Sequence, residues 1–379
     1  MEKIAIKDLG LYISDGNYSA KYPRAEEFVD SGIPFIRANN LIELSISDVD
    51  MYYISEEKHG VLLKGHVKPG DVLITTRGNL GQVALVPEKH NDSNINAQIV
   101  LLRSNNKVVN NKYLLWALQS KGVQEQILKL QTGTALKQLP VGRLEQIVIP
   151  LYELNKQKQI ATNLELCADV IKHKKKQLGL LDDLVKSRFI ELFMGKVYPT
   201  KTVDEVSIGK GEYGAQSASI GYDPTRPRYV RITDINDDGT LNDDVVASIN
   251  PSDDEQYKLE YGDFMFARMG ATVGKTYAFI EGNQIFAGYL IRYRLNPELI
   301  NPRYLFWYTR LDEYWNWVKL NQSGAAQPGI NAKKYGSLQI PLPPIEEQNT
   351  FAAFVEQTDK SKFTVQVYLL LIIQIMYCK

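Results

Sequence analysis

Apolar and polar positions along this chain follow two different periods. Short apolar or alternating runs at Pro34 to Arg37, Val72 to Thr76, Gln82 to Val86 and Ala97 to Leu102 predict strands. From Lys112 to Lys129 the positions of Leu115, Leu118, Val123 and Ile127, with Leu130 just beyond, approach helical spacing and predict a helix, on which Tyr113 and Trp116 read as core residues. A third stretch, Leu154 to Met194, contains no proline and no clustered glycine. Positions 157, 160, 164, 167, 171, 174, 178, 181, 185, 188 and 192 advance there in alternating steps of three and four, and most are apolar. That is the seam of a long coiled-coil helix, about 60 Å at ~1.5 Å per residue, with Gly195 and Pro199 supplying a stop. One such helix cannot bury its stripe alone, and the segment beginning near Glu346 is its predicted partner.

The plan occurs twice, at an offset of roughly 191 residues. VKPGDVLITTRGNLGQVALV (Val67 to Val86) matches LEYGDFMFARMGATVGKTYAF (Leu259 to Phe279), each with Gly-Asp, an apolar strand, an arginine (Arg77 or Arg268) and spaced glycines. NNKYLLWAL from Asn110 matches NPRYLFWYT from Asn301, which superposes Tyr113 on Tyr304 and Trp116 on Trp307. QTGTALKQLP from Gln131 matches QSGAAQPGIN from Gln322, and both copies continue to Ile-Pro-Leu, at Ile149 to Leu151 and Ile340 to Leu342. Matching blocks in one order at a nearly constant offset mean duplication of a whole α+β domain with its connector. The predicted organisation is a first domain over 1–152, a helix over 153–196, a second domain over 197–344 and a second helix over 345–379.

Composition narrows the function. The 379 residues carry 44 Lys plus Arg and 44 Asp plus Glu, so the chain as a whole is not a basic coat for phosphates. A local basic face is still open to it, balanced by acids such as Asp237, Asp238, Asp243, Asp244, Asp253 and Asp254. Cys167 and Cys378 stand far apart and read as free thiols. The mixed, charged start MEKIAIKDLG has no signal-peptide pattern, which makes the cytoplasm the expected location. There is no phosphate-binding Walker loop and no dinucleotide fingerprint. Asn301-Pro302-Arg303 and Asp223-Pro224-Thr225 both fail the Pro-Pro-aromatic signature of an amino-methyltransferase. His59, His66, His90 and His173 are scattered without metal-ligand spacing, and Glu56-Glu57-Lys58 reads as a solvated turn. No catalytic residue and no metal site is expected, and catalysis is assigned to a partner.

The GDVLITTRGNLG and GDFMFARMGATVG strings, the TGTALKQLP and SGAAQPGIN loops, and the IPLYELNKQKQIA and IPLPPIEEQNTFA leads into the helices together resemble the specificity subunit of type I restriction-modification systems, over nearly the whole chain to about Val365. The resemblance implies two similar target-recognition domains of mixed strands and helices, separated by long coiled-coil helices that pair antiparallel in a pseudo-two-fold arrangement. It implies a non-catalytic chain that binds double-stranded DNA and reads a two-part target. Two methyltransferase subunits and separate motor-nuclease subunits are the implied partners. S-adenosylmethionine, ATP and Mg²⁺ are expected in those partners, and no cofactor in this chain. Two other classes stay open: a stand-alone nuclease or methyltransferase with unrecognised motifs, and a coiled-coil scaffold that does not touch DNA.

Donor chemistry at strand ends and in loops selects the candidate DNA-reading residues. They are Arg37, Arg77, Asn79, Gln98, Thr132 and Lys137 in the first copy, and Arg231, Thr233, Arg268, Lys275, Ser323 and Gln327 in the second. Arginine bridges guanine edges and Asn or Gln adenine edges, while Lys, Thr and Ser more often hold phosphates. The glycines at 78, 81, 270 and 274 read as backbone-geometry residues. The end of the second helix departs from the pattern: VQVYLLLIIQIMY, from Val365 to Tyr377, is apolar on every face apart from Gln366 and Gln374. Too short to span a bilayer, it reads as substituted sequence after about Gln366, leaving the first helix an incomplete partner beyond its first few turns.

Overall fold

The computed structural model describes residues 2–18, 21–134, 136–249, 256–324 and 328–377, with 375–377 described by their backbone alone. Asp253, Asp254 and Cys378 lie outside the described residues. The chain divides into two compact units, Met1–Lys174 with Tyr368–Lys379, and Lys175–Val367. The division falls within the first long helix, so each unit takes part of it.

Both units are built on the same antiparallel four-stranded sheet. In the first, the order is Tyr12–Asp15, Ile99–Arg103, Val72–Thr75, Val83–Leu85; in the second it is Glu212–Tyr213, Leu290–Arg294, Asp263–Ala267, Thr276–Ala278. The central strands read as continuous apolar runs because both of their faces are covered. Val72, Ile74, Val100 and Leu102 point into a core shared with the helices, while Leu73, Ile99 and Leu101 point into a second core on the opposite face. In the second unit Phe264, Phe266, Ile291 and Tyr293 take the first role, and Met265, Ala267 and Leu290 the second. A parallel strand pair lies under that second core in each unit, Asn94–Ile95 beside Ile33–Ile36 and Gln284–Phe286 beside Arg228–Val230.

The repeated Gly-Asp string is a turn and an ion-pair anchor. Asp71 accepts the Lys68 N–H at 2.7 Å, and Asp263 accepts the Glu260 N–H at 3.0 Å. Arg103, on the neighbouring strand, donates to both oxygens of Asp71 at 2.7 Å, which holds its guanidinium above the usual range. In the second unit Arg292 lies 3.5 Å and Arg294 3.9 Å from Asp263, a longer arrangement in which burial pushes the carboxyl up.

The single helix predicted over Lys112 to Lys129 is two helices, Asn111–Gln119 and Lys121–Leu130. Ser120 is extended between them, its hydroxyl donating to the Ala117 carbonyl at 2.7 Å and its carbonyl accepting from Val123 and Gln124. The break turns Gln124 back onto the sheet hairpin, where it donates to Leu118 O at 2.8 Å and Gly81 O at 3.0 Å. Pro302–Tyr308 and Asp312–Asn321 repeat the pair. Tyr113 and Tyr304 are buried, each hydroxyl donating to the carbonyl of an Ile-Pro-Leu proline, Pro150 at 2.6 Å and Pro341 at 2.7 Å.

The first long helix runs Leu154–Phe193 and stops before Gly195, whose φ is +78°. Every predicted seam position from Gln157 to Leu192 is buried or half-buried. The polar member at the head of the seam, Gln157, is fully buried: its side-chain oxygen accepts the Asn110 N–H at 2.8 Å, and its amide donates to Val108 O at 2.9 Å and Tyr152 O at 2.7 Å. Gln348 repeats this bond for bond with Asn301 N–H at 2.9 Å, Leu299 O at 3.1 Å and Pro343 O at 2.8 Å. Further along the second unit, Phe189 and Phe193 of the first long helix close on Tyr304 and Phe351 with ring centroids 5.0–5.6 Å apart.

The second long helix, Ile345–Tyr377, continues unbroken through the apolar run. Gln348, Phe351, Val355, Thr358 and Val365 are buried, and Lys362, Leu369 and Ile372 are half-buried, so the steps of three and four persist past Gln366. On the outer face of the same stretch Val367, Tyr368, Leu370 and Leu371 are exposed.

Gln157→Ala deletes three hydrogen bonds and leaves the Asn110 N–H and two carbonyls without partners. A loss of about 3 kcal/mol is expected in urea unfolding, with a similar loss for Gln348→Ala and near-additive behaviour in the double variant.

Candidate nucleic-acid interface

In each unit an arginine follows the strand of the Gly-Asp string, Arg77 two residues past Thr75 and Arg268 one residue past Ala267, and a distant loop is laid against it. The backbone bonds match Arg268 to Thr76 and Arg77 to Met269, so the two arginines are neighbouring rather than equivalent positions. Thr132 and Gln138 exchange backbone hydrogen bonds at 2.8 and 2.9 Å, and Leu139 N–H donates to Thr76 O at 2.9 Å, which sets the 131–139 loop beside Arg77. Ser323 and Gly329 exchange the same bonds at 3.0 and 2.9 Å, and Ile330 N–H donates to Arg268 O at 2.9 Å. Gly78, Gly81, Gly270 and Gly274 all have φ between +70° and +90°, as a turn this tight requires.

The two arginines rest on tyrosines. The Arg77 guanidinium lies 4.5 Å from the centroid of Tyr18, and that of Arg268 lies 4.8 Å from Tyr213 and 5.9 Å from Tyr289. These rings are 45%, 40% and 55% exposed, so each platform faces outward. Partial burial raises the Tyr18 phenol above its ordinary value, with Arg77 opposing the shift, and the hydroxyl stays a donor. Gly16 and Gly214 bring the chain close to the platform: a Cβ on either would lie 2.3–2.4 Å from a backbone carbonyl of Asn96 or Ala287. Beside Arg77 a pocket of about 290 Å³ is lined by Asp15, Tyr18, Thr76, Arg77, Gln138 and Leu139, among others.

The structure therefore gathers Arg77, Asn79, Gln98, Thr132 and Lys137 around one loop pair. Asn79, Gln98 and Lys137 are exposed, and the Gln98 carbonyl accepts the Thr76 N–H at 2.8 Å. Arg268 and Ser323 are gathered in the same way, and Gln327 lies outside the described residues. Tyr289 occupies the place of Gln98, its carbonyl accepting the Arg268 N–H at 3.0 Å. The sequence reading missed the tyrosines. The signal for Tyr289 was its alignment with Gln98; Tyr18 and Tyr213 lie where the offset between the copies shifts, and had none.

The other four candidates have internal partners. Arg37 donates to Asp50 O at 2.5 Å and lies 3.4 Å over the Tyr52 ring. Arg231 chelates Asp234 with bonds of 2.8 and 3.2 Å and reaches Val245 O at 2.5 Å. Thr233 donates to Asp234 at 3.3 Å, and Lys275 binds Ile235 O at 3.1 Å and Asp237 at 2.8 Å. Arg37 and Arg231 each open a one-turn helix whose third residue, Asn40 or Asp234, accepts the arginine's own N–H. Nor are the histidines all scattered: His59, His66 and Asp92 converge in the first unit.

The chain belongs to the family of type I restriction-modification specificity subunits: the family profile described as "Type I restriction modification DNA specificity domain" matches residues 1–179 and 209–366. It is the DNA-recognition subunit of such a complex and is non-catalytic by itself. Among curated relatives, the type I restriction enzyme MjaVIII specificity subunit of Methanocaldococcus jannaschii is 26% identical over 319 residues, covering 77% of this chain and 73% of that protein. The EcoKI specificity subunit of Escherichia coli is 22% identical over 362 residues, covering 86% and 75%. The fold is shared with the crystal structure of the S subunit from M. genitalium, at a TM-score of 0.62 and 15% identity over 99% of this chain and 93% of that one. Among the described residues no helix is long and apolar enough to cross a membrane.

The internal pairing separates the two kinds of arginine by stability. Arg231→Ala strips the buried Asp234 of its partner and is expected to cost about 2 kcal/mol or more in urea unfolding, whereas Arg268→Ala should cost about 1 kcal/mol or less.

Proposed function

We propose that each unit reads one part of a two-part duplex target through its arginine platform and the loop clamped beside it. The carrying observation is that one loop clamp is laid against the end of the same strand in both units with different side chains around it: Tyr18, Asn79, Gln98 and Lys137 about Arg77, against Tyr213, Tyr289 and Ser323 about Arg268, which stands one position earlier. A guanidinium held flat against a ring keeps its planar donor fork and loses fewer rotamers on binding, which suits bidentate contact to a guanine edge. Gln327 belongs to the second reading loop by its place in the sequence. Arg37, Arg231, Thr233 and Lys275 shape the neighbouring loops instead, each donating to a group of those loops.

Recognition by this chain serves reactions performed elsewhere. Two methyltransferase subunits bring S-adenosylmethionine and flip the target adenines, and motor-nuclease subunits bring ATP and Mg²⁺, in the cytoplasm. The family membership and the seam of the long helices support this reading.

The test is Arg77→Ala in a complex reconstituted with the methyltransferase subunit of the same system. Discrimination should fall at one half-site only, by about 1 to 3 kcal/mol, as read from competition binding with base-substituted duplexes. An equal loss on every sequence, with a shallower salt dependence, would make Arg77 a phosphate contact and overturn its assignment as a reader.

A further inference from the structure

The first unit holds a side-chain cluster that has no counterpart among the described residues of the second. His59 lies in the helix Glu56–Val61, His66 on the bridge that pairs with Asn94, and Asp92 in the loop before the strand Asn94–Ile95. One ligand atom from each falls within 4.8 Å of the others. None of the four histidines of the chain lies in the second unit.

The hydrogen bonds behind the cluster fix which nitrogens face it. His66 Nε2 is 2.6 Å from the Leu62 carbonyl, and His59 Nδ1 is 2.5 Å from the side-chain oxygen of the buried Asn94. Both partners are acceptors, so each of these nitrogens holds a proton, and the nitrogens that face Asp92 are His66 Nδ1 and His59 Nε2, each 3.3 Å from an oxygen of Asp92. Two imidazole nitrogens converging on a carboxylate are a donor set that a shared cation can join. Bonds of ~2.0 Å to a tetrahedral ion set ligand-to-ligand edges of about 3.3 Å; each histidine nitrogen stands at that distance from its own Asp92 oxygen, and one ligand atom from each of the three residues lies within 4.8 Å of the others. Imidazoles whose far nitrogens donate to fixed oxygens are also the usual support around a metal. Asp92 is held by its own backbone, its N–H donating to Val67 O at 2.9 Å, and its side chain is 66% exposed, which leaves a route for an ion.

We propose that His59, His66 and Asp92 bind one divalent transition-metal ion of the zinc class, with water in the open fourth position. The ion ties the helix Glu56–Val61 to the loop before Asn94 and stabilises the fold of the first recognition unit. It takes no part in catalysis.

The experiment uses the full chain without an affinity tag, stripped by a chelator and dialysed against zinc. Elemental analysis should give one zinc per chain, and cobalt in its place should give the visible absorption of a four-coordinate ion. Zinc should raise Tm by several degrees. His66→Gln and Asp92→Asn should each bind at least tenfold more weakly and lose the rise, while His173→Gln should behave as the parent chain. The Asp92 substitution, at an exposed side chain, keeps the test valid if the histidine variant fails to fold. No uptake by the parent chain, or uptake unchanged in Asp92→Asn and His66→Gln, would overturn the proposal.

Discussion

The burial of one glutamine side chain at the head of each long helix is the constraint on which both units depend. Gln157 and Gln348 have no solvent to fall back on, and each satisfies its oxygen and its amide with backbone groups of the domain alone. Leaving such groups unmade would cost more than a typical hydrogen bond contributes. The rotation of each helix about its axis is thereby fixed at its first turn, and the apolar seam that follows inherits that rotation.

A second constraint comes from a sheet covered on both faces. Its central strands have no outward side chains with which to meet a ligand, so under the proposed reading recognition falls to the edge strand that carries Tyr213, to strand ends and to the loops laid against them. Arg77 and Arg268 stand at those ends, and Tyr18, Tyr213 and Tyr289 replace the neighbouring protein surface that a buried arginine would use. The ion pairs of Asp71 and Asp263 at the other end of the same strands hold the hairpins in register.

The repeat, the long helix and its seam were legible because each rests on periodicity or on blocks in a shared order. The apolar strands were legible for the same reason. What the sequence concealed depends on contacts between distant segments. Ser120 divides a helix whose apolar spacing looks continuous, because Gln124 finds a better partner in Gly81 than a straight helix would allow. The loss of Arg231 and Lys275 to Asp234 and Asp237 follows from loop folding that donor chemistry does not reveal. His59 and His66 are seven positions apart with Asp92 far beyond, and only the turn after Leu62 brings them together. The four candidates drawn toward internal partners were chosen for donor chemistry, and donor chemistry alone does not distinguish a reader from a brace.

Each glutamine bond closes on residues 5, 47 or 49 positions away, all in the C-terminal part of its own domain. The first hundred residues of a domain therefore hang from an anchor to which they contribute nothing. In evolutionary terms such an anchor is a socket: a different segment joined ahead of Val108 or Leu299 meets the same backbone groups and the same glutamine. A segment exchanged at that junction leaves the helix and its seam without need to adapt.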